Sequence, residues 1–516
     1  MTTPDADVVI VGYGPVGATL AVLLAQAGHR VTIVERWDRP YPLPRAVHFD
    51  HEVGRIFQSC GIAAGLRAIS EPADIYEWRN ADGLTLLRLG NTGPAASGWP
   101  GSSMFHQPSL EALLAERVEA LDGIEVRRGV EVTAVEQTDS AVVVHGRHAS
   151  GEAVAVSGRY VVGCDGANSF VRSAVDAPVT DLGFFYDWLI VDVVLHDGRV
   201  FDPINVQVCD PARPTTAVSG GPGRRRWEFM RLPDEDKAAL DDRQRAWDLL
   251  APWDVTPANA TIERHAVYTF NARWAEQWRV GRVLLAGDAA HQMPPFAGQG
   301  MCSGIRDAAS LAWRLDLVLR DLSLDALLDT YAEERMPEVR GAIELSMALG
   351  SIICVPDPNE AEHRDAAMSA GVGAEPSPVP ETPPIERGVL HPTAPHAGKP
   401  FVQGLVAEGS LFDDADGAGW RLVTIDDAGS LDLDAEDRDR FAAIGGRISW
   451  VADRDRAGTY ATWFAGHGAT WALQRPDFRL YGTADSASGA AALLGALLDT
   501  INISTDQGAQ PCASPM

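Results

Sequence analysis

At 516 residues the chain has room for two or three domains with cores of their own. Apolar residues at 46% and charged residues at 22% are ordinary for a soluble globular protein, while a formal net charge of −28 argues against nucleic acid or an anionic membrane as a partner. Six cysteines, none closer than 45 positions to the next, exclude a CxxC pair and a clustered metal site, and fit free thiols in a reducing compartment.

The N-terminal apolar run lacks the basic flank of a signal peptide, and no later run approaches the roughly 18 apolar residues of a membrane span; a cytoplasmic protein is expected. Residues 7–11 form an apolar strand that runs into Gly12-Tyr13-Gly14-Pro15-Val16-Gly17. A helix follows to about residue 27, then a second strand over 30–34 that ends in Glu35. This βαβ opening with GxGxxG between strand and helix is the pattern of a dinucleotide site. The first glycine makes the tight turn, the second admits a pyrophosphate, and the third lets helix and strand pack closely. Glu35 falls where an acid binds ribose hydroxyls. The motif alone does not separate FAD from NAD. Arg45, in Pro44-Arg45-Ala46, is placed either to grip a pyrophosphate or to sit solvated at the surface. His48 and Asp50 follow, close enough to face the same cleft.

A helix over 107–120 puts Leu110, Leu113, Leu114 and Val118 on one face. Strands over 125–135 and 141–145 alternate like an antiparallel meander, and a buried strand over 159–163 ends in Cys164-Asp165-Gly166. That Asp-Gly is open to two readings, a ligand contact or a tight turn. From 184 to 268 the pattern turns β-rich, with strands over 188–195, 204–209, 215–219 and 226–232, which suggests a second sheet roofing a small-molecule pocket. The charged stretch 234–250 reads as an amphipathic helix with a solvated face.

A short strand over 283–286 leads into Gly287 and Asp288, then Pro294, Pro295 and Gly298-Gln299-Gly300, and a helix begins near 303. A strand end, a carboxylate, a rigid turn and a glycine-rich helix N-terminus are parts that hold a polar, anionic cofactor. A helical region over 324–353 comes next. Residues 371–400 hold eight prolines and read as an extended, semi-rigid linker. Beyond it, strands over 419–425, 447–451, 470–473 and 478–481 mix with helices over 435–444, 460–467 and 488–498, as in a small separate α/β domain.

With GYGPVG, PRA, CDGANS and AGDAAH…PPFAGQG in this order, the chain resembles the single-component FAD-dependent aromatic hydroxylases, nearest the 3-(3-hydroxyphenyl)propionate hydroxylase group. The resemblance implies an α/β fold with a discontinuous Rossmann-like FAD-binding domain (1–175 and 265–370), an interleaved β-sheet substrate domain (176–264) and a thioredoxin-like C-terminal domain (401–516). It implies that Gly12, Gly14, Pro15, Val16 and Gly17 cradle the FAD pyrophosphate, with Glu35 and Arg36 at the adenosine ribose. Arg45, Ala46, Gln107 and Val132 would contact the cofactor along its length, and Asp165 and Gly166 would serve both FAD and the nicotinamide nucleotide. Gly287 and Asp288 would hold the ribityl chain, and Pro295, Gly298, Gly300, Met301 and Cys302 would lie along the flavin ring. Many relatives carry Asn where this chain has Cys302. The tail holds only Cys512, so dithiol exchange is not expected there.

The implied reaction is hydroxylation of a phenolic ring with NADH or NADPH and O2 through a C4a-hydroperoxyflavin, with His48, Asp50, Trp188, Gln207 and Tyr268 as pocket candidates. No metal is expected, and a homodimer is compatible with the chain. Rival readings are a flavin-dependent epoxidase or tailoring oxidase on a polycyclic aromatic, and a non-catalytic, redox-responsive flavoprotein. A halogenase is disfavoured because no WxWxIP segment is present.

Overall fold

The computed structural model describes residues 4–501, apart from 42, 91–94, 374, 380–381 and 408. Cys512 therefore lies outside the described residues. An eight-stranded sheet is built on the strand Ala6–Val11, which pairs in parallel with Val31–Glu35 on one side and Ala153–Gly163 on the other. Val8, Val9 and Ile10 are wholly buried, as a central parallel strand covered on both faces requires. The strands Ile124–Arg128 and Val283–Leu285 extend the parallel order outward, and Val130–Gln137 with Val142–His148 form the expected meander. The helix Pro15–Gln26 opens with proline in its first turn, where the missing N–H costs nothing, and packs on the helix Gly300–Leu319. Their contact is close: a Cβ on Gly304 would lie 2.6 Å from Val16 Cγ2.

The second sheet also has eight strands, centred on the long strands Val179–Leu195 and Ala260–Ala275. Its two faces follow the period-two rule. Leu189, Val191, Val193, Trp227 and Phe229 pack outward against Leu240, Ala246 and Leu250. The stretch 234–250 is thus not one solvated helix. It is broken into Lys237–Leu240 and Arg243–Leu250, each capped by an aspartate, Asp236 and Asp242, and its apolar side covers the sheet. The strands Ile75–Arg79 and Thr85–Gly90 join this sheet beside Asn205–Val208, so a segment expected within the first domain builds the second layer.

The C-terminal unit has a four-stranded sheet in the order Arg447–Trp450, Arg421–Thr424, Trp471–Gln474, Leu480–Ala484. The first pair is parallel and the others antiparallel, with the helices Ala435–Ala443, Thr459–His467 and Ala487–Thr500 around them. The proline-rich run does not act as a free spacer. Ser377 bonds Arg88 and Gly90 along one edge of the strand Thr85–Gly90, Ile385 and Val389 are buried, and Gly398 bonds Ile385 and Leu480. Its prolines deny it regular structure, yet Ser377, Ile385 and Gly398 pair their backbone groups with partners. Among the described residues no single helix is long and apolar enough to cross a membrane, and no group of metal-ligating side chains is present.

The C-terminal unit is locked to the rest by charges out of water. Arg475 reaches Glu334 at 2.6 Å and Arg314 reaches the same carboxylate at 2.7 Å, all three side chains having no exposure. Arg55 pairs with Asp413 at 2.6 Å with both side chains 2% exposed. Burial alone would raise the Glu334 carboxyl, but Arg314 and Arg475 outweigh it and hold it below its ordinary 4.5. Removing one member leaves a buried charge uncompensated, so Arg475→Ala is expected to cost about 3–5 kcal/mol in denaturant unfolding. An unchanged midpoint would show the pair to be solvated. The acid sign follows from the lowered pKa: the stability from Glu334 is complete above pH 4.5 and drains as pH falls further. The midpoint of wild-type thermal unfolding should therefore drop faster below pH 4.5 than that of Glu334→Gln.

Candidate active site

A single cleft of about 2250 Å³ runs between the two sheets and brings most of the expected residues together. Gly12, Gly14, Pro15, Val16, Glu35, Arg36, Arg45, Ala46, Gln107, Val132, Asp165 and Gly166 line one part. Asp288, Pro295, Gly298, Gly300, Met301, His48, Asp50 and Tyr268 line the rest. Gly17, Gly287, Cys302, Trp188 and Gln207 stand behind the lining.

The three glycines of the first turn have distinct constraints. Gly12 has φ +107°, and a Cβ there would lie 2.3 Å from the Cys164 carbonyl oxygen. A Cβ on Gly17 would lie 2.2 Å from the Gly12 carbonyl, so its role is helix–strand packing rather than ligand contact. A Cβ on Gly14, by contrast, would meet nothing within 4 Å beyond its own chain neighbours, which leaves room for a ligand on that side. Glu35 accepts from the backbone N–H of Tyr13 at 2.7 Å and of Trp37 at 2.9 Å, which fixes its carboxylate at the strand end. Arg36 stacks over Trp37, and Arg45 lies exposed over the Tyr41 ring. Gln107 is buried, and its amide oxygen accepts from the Arg45 and Ala46 N–H groups at 3.0 and 2.6 Å. It thereby holds the loop that carries Arg45. Asp165 accepts from Val171 N through Oδ2, while Oδ1 is buried with no hydrogen-bond partner among the described residues, and burial pushes the carboxyl up.

At the other motif Asp288 is exposed to the cleft at the turn Gly287–Ala289 and bonds no described residue. Gly287 has φ +62° and packs on Val16, and its N–H donates to Asp307 at 3.0 Å. Asp307 also accepts from His291 Nε2 at 2.8 Å and pairs with Arg335 at 2.9 Å. Gly298 has φ +65° and lies against His48, whose Nδ1 donates to the Gly298 carbonyl at 3.2 Å. Cys302 is fully buried with its thiol toward the His48 and Gly298 carbonyls, and burial holds it protonated. A cofactor contact at Cys302 would have to come from backbone alone.

The pocket candidates divide. Desolvation holds His48 below its ordinary 6.5, so the ring is neutral; with Nδ1 donating, Nε2 is left as an acceptor without a partner among the described residues. Tyr268 is half-buried under the Arg264 guanidinium at 4.5 Å. Asp50 caps the helix His51–Ser59 through Val53 N and pairs with Arg306 at 2.7 Å, so its oxygens are committed to structure. Trp188 is wholly buried and supports Phe296 edge-on at 5.7 Å, and Phe296 takes the place at the wall. Gln207 spends its amide on Thr216 at 2.6 Å and the Thr215 carbonyl at 3.1 Å.

Three charged residues on the inner face of the second sheet were not foreseen: Arg226, Glu228 and Arg264, with Asp192 between the arginines. Arg226 grips Asp192 at 2.7 Å and donates to the Pro44 and Arg45 carbonyls, tying the Arg45 loop to the sheet. The signal was present in the strand Arg224–Met230, where Arg226 and Glu228 alternate with the outward Trp227 and Phe229. The space at Gly14, the partnerless Asp165 oxygen and the unpaired Asp288 carboxylate fit a dinucleotide lying along the cleft. Asp288→Ala should therefore lower bound flavin per protein, read from visible absorbance, with the unfolding midpoint shifting by less than about 0.5 kcal/mol, as for an exposed side chain. Full flavin occupancy in that variant would remove Asp288 from the site.

Comparison with known proteins agrees with this geometry. The family model described as "FAD binding domain" matches residues 5–346. A protein of Rhodococcus jostii (strain RHA1) named "Probable NADH-specific resorcinol 4-hydroxylase" is 41% identical over 96% of this chain and 95% of its own length. The 3-(3-hydroxy-phenyl)propionate/3-hydroxycinnamic acid hydroxylase of Escherichia coli O81 (strain ED1a) is 31% identical over 92% of this chain and 91% of its own. Among solved structures, the flavin-dependent monooxygenase PieE in complex with FAD and substrate superposes with a TM-score of 0.80 over 97% of this chain and all of that one, at 22% identity. A cleft shaped for FAD and a match across most of the chain place this protein in the FAD-binding family of single-component aromatic hydroxylases.

Proposed function

We propose that the protein hydroxylates a small phenol, with NADH as the favoured electron donor and O2 as the oxygen source. The observation that carries this reading is the continuity of one cleft from the open space at Gly14 to His48 and Tyr268. The relation to a resorcinol hydroxylase and a hydroxyphenylpropionate hydroxylase supports a phenolic ring as substrate and NADH as donor.

Bound FAD supplies the redox chemistry, taking electrons from NADH and activating dioxygen. Glu35 would accept from ribose hydroxyls, Asp288 from the ribityl chain, and the backbone around Gly14 would admit the pyrophosphate. The N-terminus of the helix Gly300–Leu319 favours negative charge beside it. The second sheet keeps water from the ring and fixes its position. His48 is suited to accept the phenolic proton at Nε2, because burial keeps the imidazole neutral and Gly298 fixes its tautomer. A ring hydroxyl bonded there becomes more electron-donating, as attack on an electrophilic oxygen requires.

We also infer a thioredoxin-like ancestry for the C-terminal unit, supported by its mixed four-stranded sheet with flanking helices. Its function in this reading is to close the body over the cleft, where Trp463 and His467 reach the lining. The five described cysteines are free thiols, which supports a reducing compartment.

Reduction of the flavin without substrate would waste NADH on dioxygen, so the phenol should control it. Any such control needs the phenol to bind one flavin arrangement better than another. Anaerobic stopped-flow mixing with NADH should show flavin reduction at least about tenfold faster with a turned-over phenol than without, which corresponds to about 1.4 kcal/mol. Equal rates would remove the gating and leave the hydroxylase reading intact. A phenol panel that stimulates neither NADH oxidation nor product formation would overturn the reading itself.

A further inference from the structure

Glu228 lies on the inner face of the second sheet, 7% exposed, and lines the cleft. Across the strands it stands opposite Thr216 on one side and Ile190 on the other. No hydrogen-bond donor reaches it among the described residues. Its one charged contact is Arg226 Nη1 at 3.7 Å, too long for a hydrogen bond. None of the donors on Arg226, Arg264 or Thr216 bonds the Glu228 carboxylate, although the buried Arg264 Nε has no partner of its own among the described residues. Arg226 gives four N–H groups to Asp192 and to the Pro44 and Arg45 carbonyls, and Arg264 bonds Pro44 and faces Asp192. Thr216 gives its hydroxyl to Gln207.

A buried carboxylate without a donor is costly, and here burial pushes its pKa above the ordinary 4.5. The arrangement is the reverse of Asp192, whose two oxygens are both held by Arg226. Two carboxylates and two guanidinium groups balance in charge, so Glu228 needs a hydrogen-bond donor rather than another cation. Ile190, directly opposite Glu228 across the strands, also lines the cleft and offers an apolar surface for a ring beside the carboxylate. Resting on the hydroxylase reading above, we propose that Glu228 accepts a hydrogen bond from a second hydroxyl on the substrate ring and selects dihydroxylated rings over those with one hydroxyl.

The test compares resorcinol with 3-methoxyphenol, which keeps the ring and one hydroxyl but replaces the second donor. Hydrogen bonds to charged groups are worth about 1.5–3 kcal/mol, so wild-type kcat/KM should favour resorcinol by roughly 10–100-fold. In Glu228→Leu the preference should fall to about threefold or less. In the near-isosteric Glu228→Gln, which keeps one acceptor oxygen, it should fall between the two. Flavin content and unfolding midpoint confirm that each variant is folded. The wild-type ratio is informative even if the leucine variant does not fold: equal turnover of the two phenols overturns the assignment. So does a wild-type preference that survives unchanged in Glu228→Gln and Glu228→Leu. Either result leaves the hydroxylase reading standing, whereas the absence of NADH oxidation and product with every phenol removes both.

Discussion

The Asp307 carboxylate is the point on which the cofactor end of the cleft turns. From inside the helix Gly300–Leu319 it receives the Gly287 N–H, the His291 ring and the Arg335 guanidinium together. Arg335 passes the connection to Glu338 at 2.5 Å, and the neighbouring Arg306 carries it to Asp50 and to the Gln299 amide at 3.0 Å. Arg479 of the C-terminal unit closes the chain on Glu52 at 3.0 Å. Both glycine turns of the central motif are therefore anchored by charges that cannot be removed singly without leaving a partner buried alone. Such a network adds little raw stability over an apolar core of the same volume. What it supplies is one fixed geometry for backbone groups that a flavin would face.

The parts of the molecule with short-range causes were legible in the sequence. The βαβ opening and the helix Gln107–Glu119 follow from periodicity and glycine placement and came out within a few residues of expectation. The strand expected over 125–135, by contrast, is split at Gly129 into Ile124–Arg128, which joins the parallel sheet, and Val130–Gln137, which forms the meander. The glycine turns that line the cleft were also legible, because φ of +65° to +107° at Gly298 and Gly12 is a backbone demand that the residue type itself announces. Contacts set by distant segments were not. Gln107 belongs to the cleft through the Arg45 loop, 62 residues away in the chain, and Trp188 is displaced from the wall by Phe296. The strand Ile75–Arg79 gave no local sign that it would pair with Asn205–Val208.

The second sheet shows how one strand can serve two tasks. Outward residues of Arg224–Met230 are Trp227 and Phe229, which bind the sheet to its covering helices. Inward residues are Arg226 and Glu228, of which the first fastens the Arg45 loop and the second stays without a donor. A strict period of two keeps these tasks apart, since a shift of one residue would carry the charges into the apolar layer. The charged residues that this sheet turns toward the cleft are thus held on strands rather than on a loop.

The interdomain ion pairs bear on the order of events during synthesis. Arg475 is made 141 residues after Glu334. At about 5–20 residues per second, the α/β body waits roughly 7–28 seconds with that carboxylate still wet. Water must then leave Glu334 and Arg314 as the last sheet docks, so the body has a hydrated face while the tail is on the ribosome. A nascent chain in that interval presents a mixed face, in which the charges of Glu334 and Arg314 lie beside the apolar surface of Trp313 that Trp420 later covers.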